Sequence, residues 1–484
     1  MEDKSKIIFG NGISASDYGK AVKSKAKYAR KYGDDSAADY AVKLVENATL
    51  SAPLGVWDIR VNEGEGELPF DAEKGIIVGN IRMGFGHYRI SIAMASAAHA
   101  LGYTPYWMDL NSYPDTTCTK VIGAQNDLYS LGSRLSQKIG LFNKLFWEPM
   151  NYEGFRKLSY NASDQKNAEL MAPVFRNVPK DIPLIGTHVW PAQAAIHAGM
   201  KYVVNAIPDN WPMALHLSEG AIHTVQTPFA YFGYKMMNGF AEEPLKGMPE
   251  ADLKMVGRYV DHELLVDLEK DNERRIARAE NSEPMRFLLT VGGAGAGFDQ
   301  FQAMVKHLLP LVNAGKAAVF INFGDHKDVY KKMLRSLSSV QVRRFADDYD
   351  GLKRYVERIR EGKAEGITAI CSSDLFEAVY STNLLMPVCD VLVTKPSELA
   401  YYPIPKIFMR HIGGHEVYGA VNSQEAGDGT FECPDEKSLA AMIDRILEDK
   451  ELYAHICRRI DEMKKNGEYD GAYRCVELAA AGRE

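Results

Sequence analysis

At 484 residues the chain is too long for one ordinary hydrophobic core, and 46% apolar with 25% charged residues is a globular balance that excludes long disordered tails. A net charge of -7, from 57 Lys plus Arg against 64 Asp plus Glu, excludes a global attraction to nucleic acid or to an anionic membrane. Six scattered cysteines without a CxxC pair suit neither a zinc site nor a disulfide framework, the opening MEDKSKIIFGNG lacks the pattern of a secretory signal, and no apolar run approaches the roughly 18 residues of a spanning helix, so the expected setting is the cytoplasm.

Residues 1–74 read as an accessory extension, with a charged helical stretch near 19–48 and the polar, Gly-rich VNEGEGELPFD after it. GIIVGN at 75–80 is an apolar run bounded by glycine, the sign of a buried parallel strand. RMGFGHYR then leads into the helical ISIAMASAAHAL, and TPYWMDL is the next strand. The alternation continues through IPLIGTH (182–188), PAQAAIHAG and KYVVNAIPD (201–209), which makes parallel α/β the economical fold for a domain over 75–265. DLEKDNERRIARAENSEP carries no core pattern and reads as an inter-domain linker. A second α/β run then opens with MRFLLTVGGAGAGFDQFQAMVKHLLPLV and continues through AAVFINFG, VQVRRF, CDVLVTK and IPKIFMR, for a second domain over 284–462 and a terminal helix over 463–484 that crosses back to the first.

Three motifs carry chemistry. Gly84-Phe85-Gly86-His87 ends a strand and begins a helix: glycines there admit a ligand to backbone N–H groups, the helix terminus favours negative charge, and a histidine can serve as a general base. The competing reading is a tight turn with a locally packed histidine. Gly292-Gly293-Ala294-Gly295-Ala296-Gly297 offers backbone donors to a diphosphate, or is a plain turn; without GK[ST] it is no Walker loop. Thr394-Lys395-Pro396-Ser397-Glu398 follows CDVLV and precedes Gly413-Gly414-His415-Glu416. Its carboxylate can hold ribose hydroxyls and its hydroxyls a phosphate, while Glu398 alone is equally an ordinary helix-start acid. Neither loop has GxGxxG spacing, so a nicotinamide dehydrogenase ranks last.

Together these motifs resemble the GT-B glycosyltransferase family that contains monogalactosyldiacylglycerol synthase and the lipid-linked N-acetylglucosaminyltransferase of peptidoglycan synthesis, over roughly 75–465. GFGH matches the first loop, GGAGAG the second, and Thr394, Lys395, Glu398 and Ala400 a TK-G---E-A segment; LIGTHVWPAQAAIHAG, VVNAIPDNWPMALHLSEGAIHTVQTP and MVGRYVD match the middle of the chain. The resemblance implies a GT-B fold, two Rossmann-like domains facing across a cleft. It implies a nucleotide-sugar donor, UDP by preference, held by the C-terminal half, and a lipid or other hydroxyl acceptor held by the N-terminal half. No essential cofactor or metal is implied. His87 is then the base candidate and Asp209 the weaker alternative. Gly84, Gly86, Gly292, Gly293, Gly295, Thr394, Lys395, Ser397, Glu398, His415 and Glu416 are donor candidates. His188, Trp190 and Trp211 are candidates to line the acceptor side. Pro396, Ser397, His415 and Phe85 depart from the family pattern, which keeps open a non-catalytic nucleotide-sugar-binding protein and, among enzymes, a sugar-nucleotide epimerase. DLYSLGSRLSQKIGLFNKLFWEPM (127–150) combines an apolar face with basic residues, so Phe142, Phe146 and Trp147 are candidates for peripheral contact with the inner face of the membrane; packing on the domain itself is the alternative.

Overall fold

The computed structural model describes residues 3–61, 70–138, 158–237, 245–292 and 298–483. Gly293, Gly295, Phe142, Phe146 and Trp147 lie outside the described residues.

A hairpin of β1 (Ile7–Ile8) and β2 (Asn11–Gly12) precedes a sheet built from β3 (Val42–Glu46), β4 (Trp57–Val61), β5 (Gly75–Asn80), β6 (Thr104–Asp109), β7 (Leu184–Gly186), β8 (Val203–Ala206), β9 (Ile222–Val225) and β10 (Leu253–Met255). Its spatial order is β10-β9-β8-β7-β5-β6-β4-β3, parallel except for β3 against β4. The second sheet holds β11 (Met285–Thr290), β12 (Ala317–Asn322), β13 (Val342–Ala346), β14 (Gly366–Cys371), β15 (Val391–Thr394), β16 (Lys406–Met409) and β17 (Gly429–Cys433), all parallel, in the order β13-β14-β12-β11-β15-β16-β17. Every residue of β5 and β11 is buried, which is why GIIVGN and MRFLLT read as apolar runs without alternation.

β5 lies between β6 and β7, and β11 between β12 and β15. In each sheet the chain therefore steps to one side of the first strand and later returns to the other side. The loops leaving the carboxyl ends diverge at these switch points and open a crevice, the usual ligand position in doubly wound sheets. Two Rossmann-like halves with facing crevices make the GT-B architecture expected from the sequence.

Two expectations are corrected. Residues 1–74 are not an appendage: β3 and β4 extend the first sheet, with Trp57 and Asp58 paired to Tyr106 and Trp107, and Tyr40, Val42, Ile59 and Val61 join its core. The charged stretch after residue 266 is not a solvated linker either, since Leu268–Glu280 is a packed helix. Its Arg275 is 1% exposed and donates to the carbonyls of Cys389 (2.9 Å) and Met386 (2.8 Å), and Arg278 pairs with Asp390 at 2.6 Å. Those partners lie over a hundred positions away in the chain, so the sequence offered only a charge run.

The last helix, Gly471–Ala481, packs on the Gly86–Ala100 helix and the first sheet. The crossing is tied down where the first half ends: Arg258 N–H donates to Glu468 O (2.7 Å) and Gly471 N–H to Arg258 O (3.0 Å). Gly257 has φ +94° there, and a Cβ would meet Glu468 O at 2.8 Å.

Candidate functional site

The N-terminal wall grows from the carboxyl end of β5. Gly84 adopts φ +80°, a conformation that glycine takes freely. The next residue crosses the cleft: Phe85 is 5% exposed, with its ring 5.6 Å from that of His326 and against Gly324, where a Cβ would lie 2.4 Å from the ring. Arg82 adds an ion pair to Asp325 beside it. Gly86 opens the Gly86–Ala100 helix, and a Cβ on it would sit 2.7 Å from Glu398 Oε2 of the other half. Glu398 is half-buried, and its carboxylate has no hydrogen-bond partner among the described residues. It stands where the helix dipole favours negative charge.

His87 Nδ1 lies 2.8 Å from the carbonyl oxygen of Thr187, at the end of β7. A carbonyl only accepts, so Nδ1 carries the proton and Nε2 presents its lone pair. Burial lowers the proton affinity of His87 against the pull of the Thr187 carbonyl, Asp209 and Glu398, and keeps the ring neutral. His188 caps the Val189–His197 helix, its Nδ1 accepting from Trp190 N–H at 3.2 Å, which places its own proton on Nε2. Burial, then the neighbouring His87 and His216, hold His188 well below the ordinary histidine range. Asp209, beyond β8, pairs with His216 Nε2 at 3.3 Å. Burial works to raise its pKa, yet the His216 hydrogen bond and the nearby histidines, His415 of the other half among them, keep the carboxyl well below its usual range. His216 Nδ1 is in turn 3.0 Å from Tyr234 Oη.

The C-terminal wall is built at the second switch point. Thr290 at the end of β11 donates its hydroxyl to Thr394 Oγ1 at 3.2 Å, aligning the two strand ends. Lys395 pairs with Glu416, whose Oε2 also accepts from Ile412 N–H (2.8 Å) and Gly413 N–H (3.3 Å). Burial alone would raise the Glu416 pKa; Lys395 outweighs it and the carboxylate stays charged. Gly292 runs against Lys395, a Cβ there lying 3.2 Å from Lys395 Cε, and its carbonyl accepts from His326 Nε2 at 3.0 Å. His415 Nδ1 is buried without a hydrogen-bond partner among the described residues, and Ser397 is half-buried, its N–H donating to Lys395 O at 2.8 Å. At the rim Trp211 stacks on Tyr418 of the second half at 4.5 Å, and Phe229 stacks on the same ring at 4.9 Å.

The fold thus brings His87, His188 and Asp209 to one wall and Thr394, Lys395, Ser397, Glu398, His415 and Glu416 to the other. Trp190 is not a cleft residue; it is 5% exposed within the core of the first half. Sequence reasoning missed His216, Tyr418 and the bridging role of Phe85. His216 sits in a one-turn 3-10 segment well past the end of β8, and Tyr418 follows a motif whose interest ended at Glu416. Phe85 could have been found, since an aromatic between two loop glycines has no partner within its own turn. All six cysteines are free and buried, and among the described residues there is no group of three or more His, Cys, Asp or Glu side chains that could hold a metal ion. No described helix is long and apolar enough to cross a membrane.

Gly86→Ala is expected to push Glu398 out of this approach, because the methyl group would overlap its carboxylate. Far-UV circular dichroism should be unchanged while affinity for any ligand held by Glu398 falls at least about tenfold, the loss expected for one charged hydrogen bond. Unchanged affinity would show that Glu398 moves aside freely.

Residues 7–236 match the family model described as Domain of unknown function (DUF6937), and residues 248–480 match Domain of unknown function (DUF6938). No curated protein matches the sequence. Among solved structures, the UDP-GlcNAc 2-epimerase from Neisseria meningitidis bound to UDP-GlcNAc is similar at 12% identity and TM-score 0.46, over 83% of this chain and 98% of that one. Anabaena Alr3699/HepE in complex with UDP and glucose is similar at 11% identity and TM-score 0.39, over 83% and 97%. The glycosyltransferase SnogD from Streptomyces nogalater is similar at 12% identity and TM-score 0.36, over 84% and 99%.

Proposed function

We propose that the cleft binds a nucleotide-sugar, with UDP the expected nucleotide, and transfers the sugar to a hydroxyl group of a lipid or other acceptor. One observation carries the reading: the two switch-point crevices face each other, one presenting a neutral histidine and the other a carboxylate beside a half-buried Lys–Glu pair, with neither the histidine Nε2 nor the Glu398 carboxylate hydrogen-bonded among the described residues. Glu398 is the ligand for the paired ribose hydroxyls, and Thr394, Ser397, Lys395 and the Gly292 amide face the diphosphate. His415 and Glu416 bound the sugar end, Glu416 by holding Lys395 and the 412–413 amides in place. In the reaction the acceptor oxygen bonds to the anomeric carbon and its proton passes to His87 Nε2. The bond from that carbon to the diphosphate breaks, the electron pair leaves with the phosphate oxygen, and Lys395 and the loop amides meet the charge.

Epimerisation is the second reading, favoured by the Asp209–His216 pair and the number of acid–base groups around one pocket. The two separate in one assay, in which UDP-GlcNAc and UDP-galactose are incubated with and without diacylglycerol in detergent. UDP release that depends on diacylglycerol is the expected result. Conversion of the sugar with no acceptor present supports the epimerase, and binding with neither outcome supports a non-catalytic nucleotide-sugar-binding protein.

A further inference from the structure

We propose that His87 and His188 form a two-imidazole clamp for a single hydroxyl group, with His188 as the hydrogen-bond donor to its oxygen. This rests on the transfer reading and adds to it a second residue in contact with the acceptor. The two rings meet edge to face with centroids 4.8 Å apart. Their protein partners impose opposite tautomers: Thr187 O fixes the His87 proton on Nδ1, and Trp190 N–H occupies the His188 Nδ1 lone pair and leaves the His188 proton on Nε2. Neither Nε2 has a hydrogen-bond partner among the described residues. One imidazole therefore offers a lone pair and its neighbour an N–H.

A hydroxyl meets both demands at one atom, giving its proton to His87 and accepting from His188. An ammonium group has no lone pair for the His188 N–H, and an ionised carboxylate has no proton for His87. Burial works in the same sense on both rings, keeping each neutral, so neither half of the clamp is lost to protonation near neutral pH. During transfer the proton moves from the acceptor oxygen to His87 Nε2, while His188 keeps its own and holds the oxygen in place. Trp190, packed edge-on against His188 at 4.7 Å, fixes the ring.

Two substitutions divide the roles of the ring. His188→Asn sets an amide oxygen near the Nδ1 position and keeps the helix cap, and its side chain is too short to restore the Nε2 donor. His188→Gln reaches the Nε2 position with an N–H and gives up the cap. Long-range 1H–15N correlation spectra of the full chain labelled with 15N-histidine, with glycerol as the hydroxyl probe, read both tautomers and probe affinity without requiring turnover. The expected results are Nδ1–H at His87, Nε2–H at His188, and a glycerol affinity that falls about tenfold in His188→Asn but stays within about threefold of the parent in His188→Gln, one hydrogen bond being at stake. The same tautomer at both residues, no glycerol response in the parent, or equal affinity in parent and His188→Asn would overturn the clamp. Failure of the transfer reading shows elsewhere, as absence of UDP release from a protein whose two tautomers are as stated.

Discussion

Turnover by a His87→Ala protein is expected to fall about a hundred- to ten-thousand-fold, the range for loss of a positioned general base, with affinity for the nucleotide changed little. Thr187 O accepts from the Nδ1–H at 2.8 Å, so the ring can only accept at Nε2, and Nε2 is the atom left to the cleft. The sign of the pH dependence follows. Burial lowers the folded-state proton affinity of His87, so the base stays deprotonated to a lower pH than a free histidine, and the acid limb of kcat/KM should fall below about 6.5. Asp209 is the alternative base. It remains a carboxylate throughout this range and gives no limb there, so turnover that stays flat as the pH falls below about 6.5 and is lost in Asp209→Asn would transfer the role. Turnover unaltered in His87→Ala ends the assignment outright.

The largest expected loss of stability comes from Asp428→Asn. Asp428 is fully buried and bridges two cations, Arg258 from the segment where the first half ends and Lys406 at 2.7 Å from β16. Ser423 donates to its other oxygen at 2.6 Å. Burial pushes the Lys406 ammonium down to about 8, with Asp428 opposing that fall. The amide keeps the shape and removes the anion, leaving the buried Arg258 guanidinium without its counter-charge and Lys406 without the carboxylate that holds its proton. About 3–5 kcal/mol is the usual cost of breaking such a pair. Urea unfolding at pH 7 measures it, and a loss below about 1 kcal/mol would mean that water or a backbone shift takes up the charge. Because Arg258 and Gly257 also anchor the returning C-terminal helix, the variant should expose that helix to proteolysis first.

The parts of the fold legible in the sequence are those whose signal is local. GIIVGN, TPYWMDL and MRFLLT announced buried strands because strands covered on both faces carry unbroken apolar runs. β3 and β4 were not legible, since VKLVE and WDIRV keep Lys43, Glu46 and Arg60 away from the core and are joined by ten residues with a short helix, Ser51–Leu54, and not by a hairpin turn. The Leu268–Glu280 helix was misjudged for a related reason: a buried arginine looks like a surface one until its distant carbonyl partners are known. The site divides the same way. His87, Glu398 and Lys395 stood out because each adjoins glycines or hydroxyls at a strand end. Phe85, which looked like a departure from the family loop, closes the two halves on Gly324. His216 reaches the site through its pairing with Asp209, and no motif in the chain ties those two residues together.

The most direct test is thermal unfolding of the parent and of Glu398→Ala with UDP, GDP, ADP and NAD at saturating concentration. A nucleotide present at a hundred times its dissociation constant stabilises the folded protein by about 2.7 kcal/mol. The account predicts a clear upward shift for UDP in the parent, smaller or absent shifts for the others, and loss of the UDP shift in Glu398→Ala. No shift for any nucleotide, or the same UDP shift in both proteins, would contradict a nucleotide-sugar site at the second switch point.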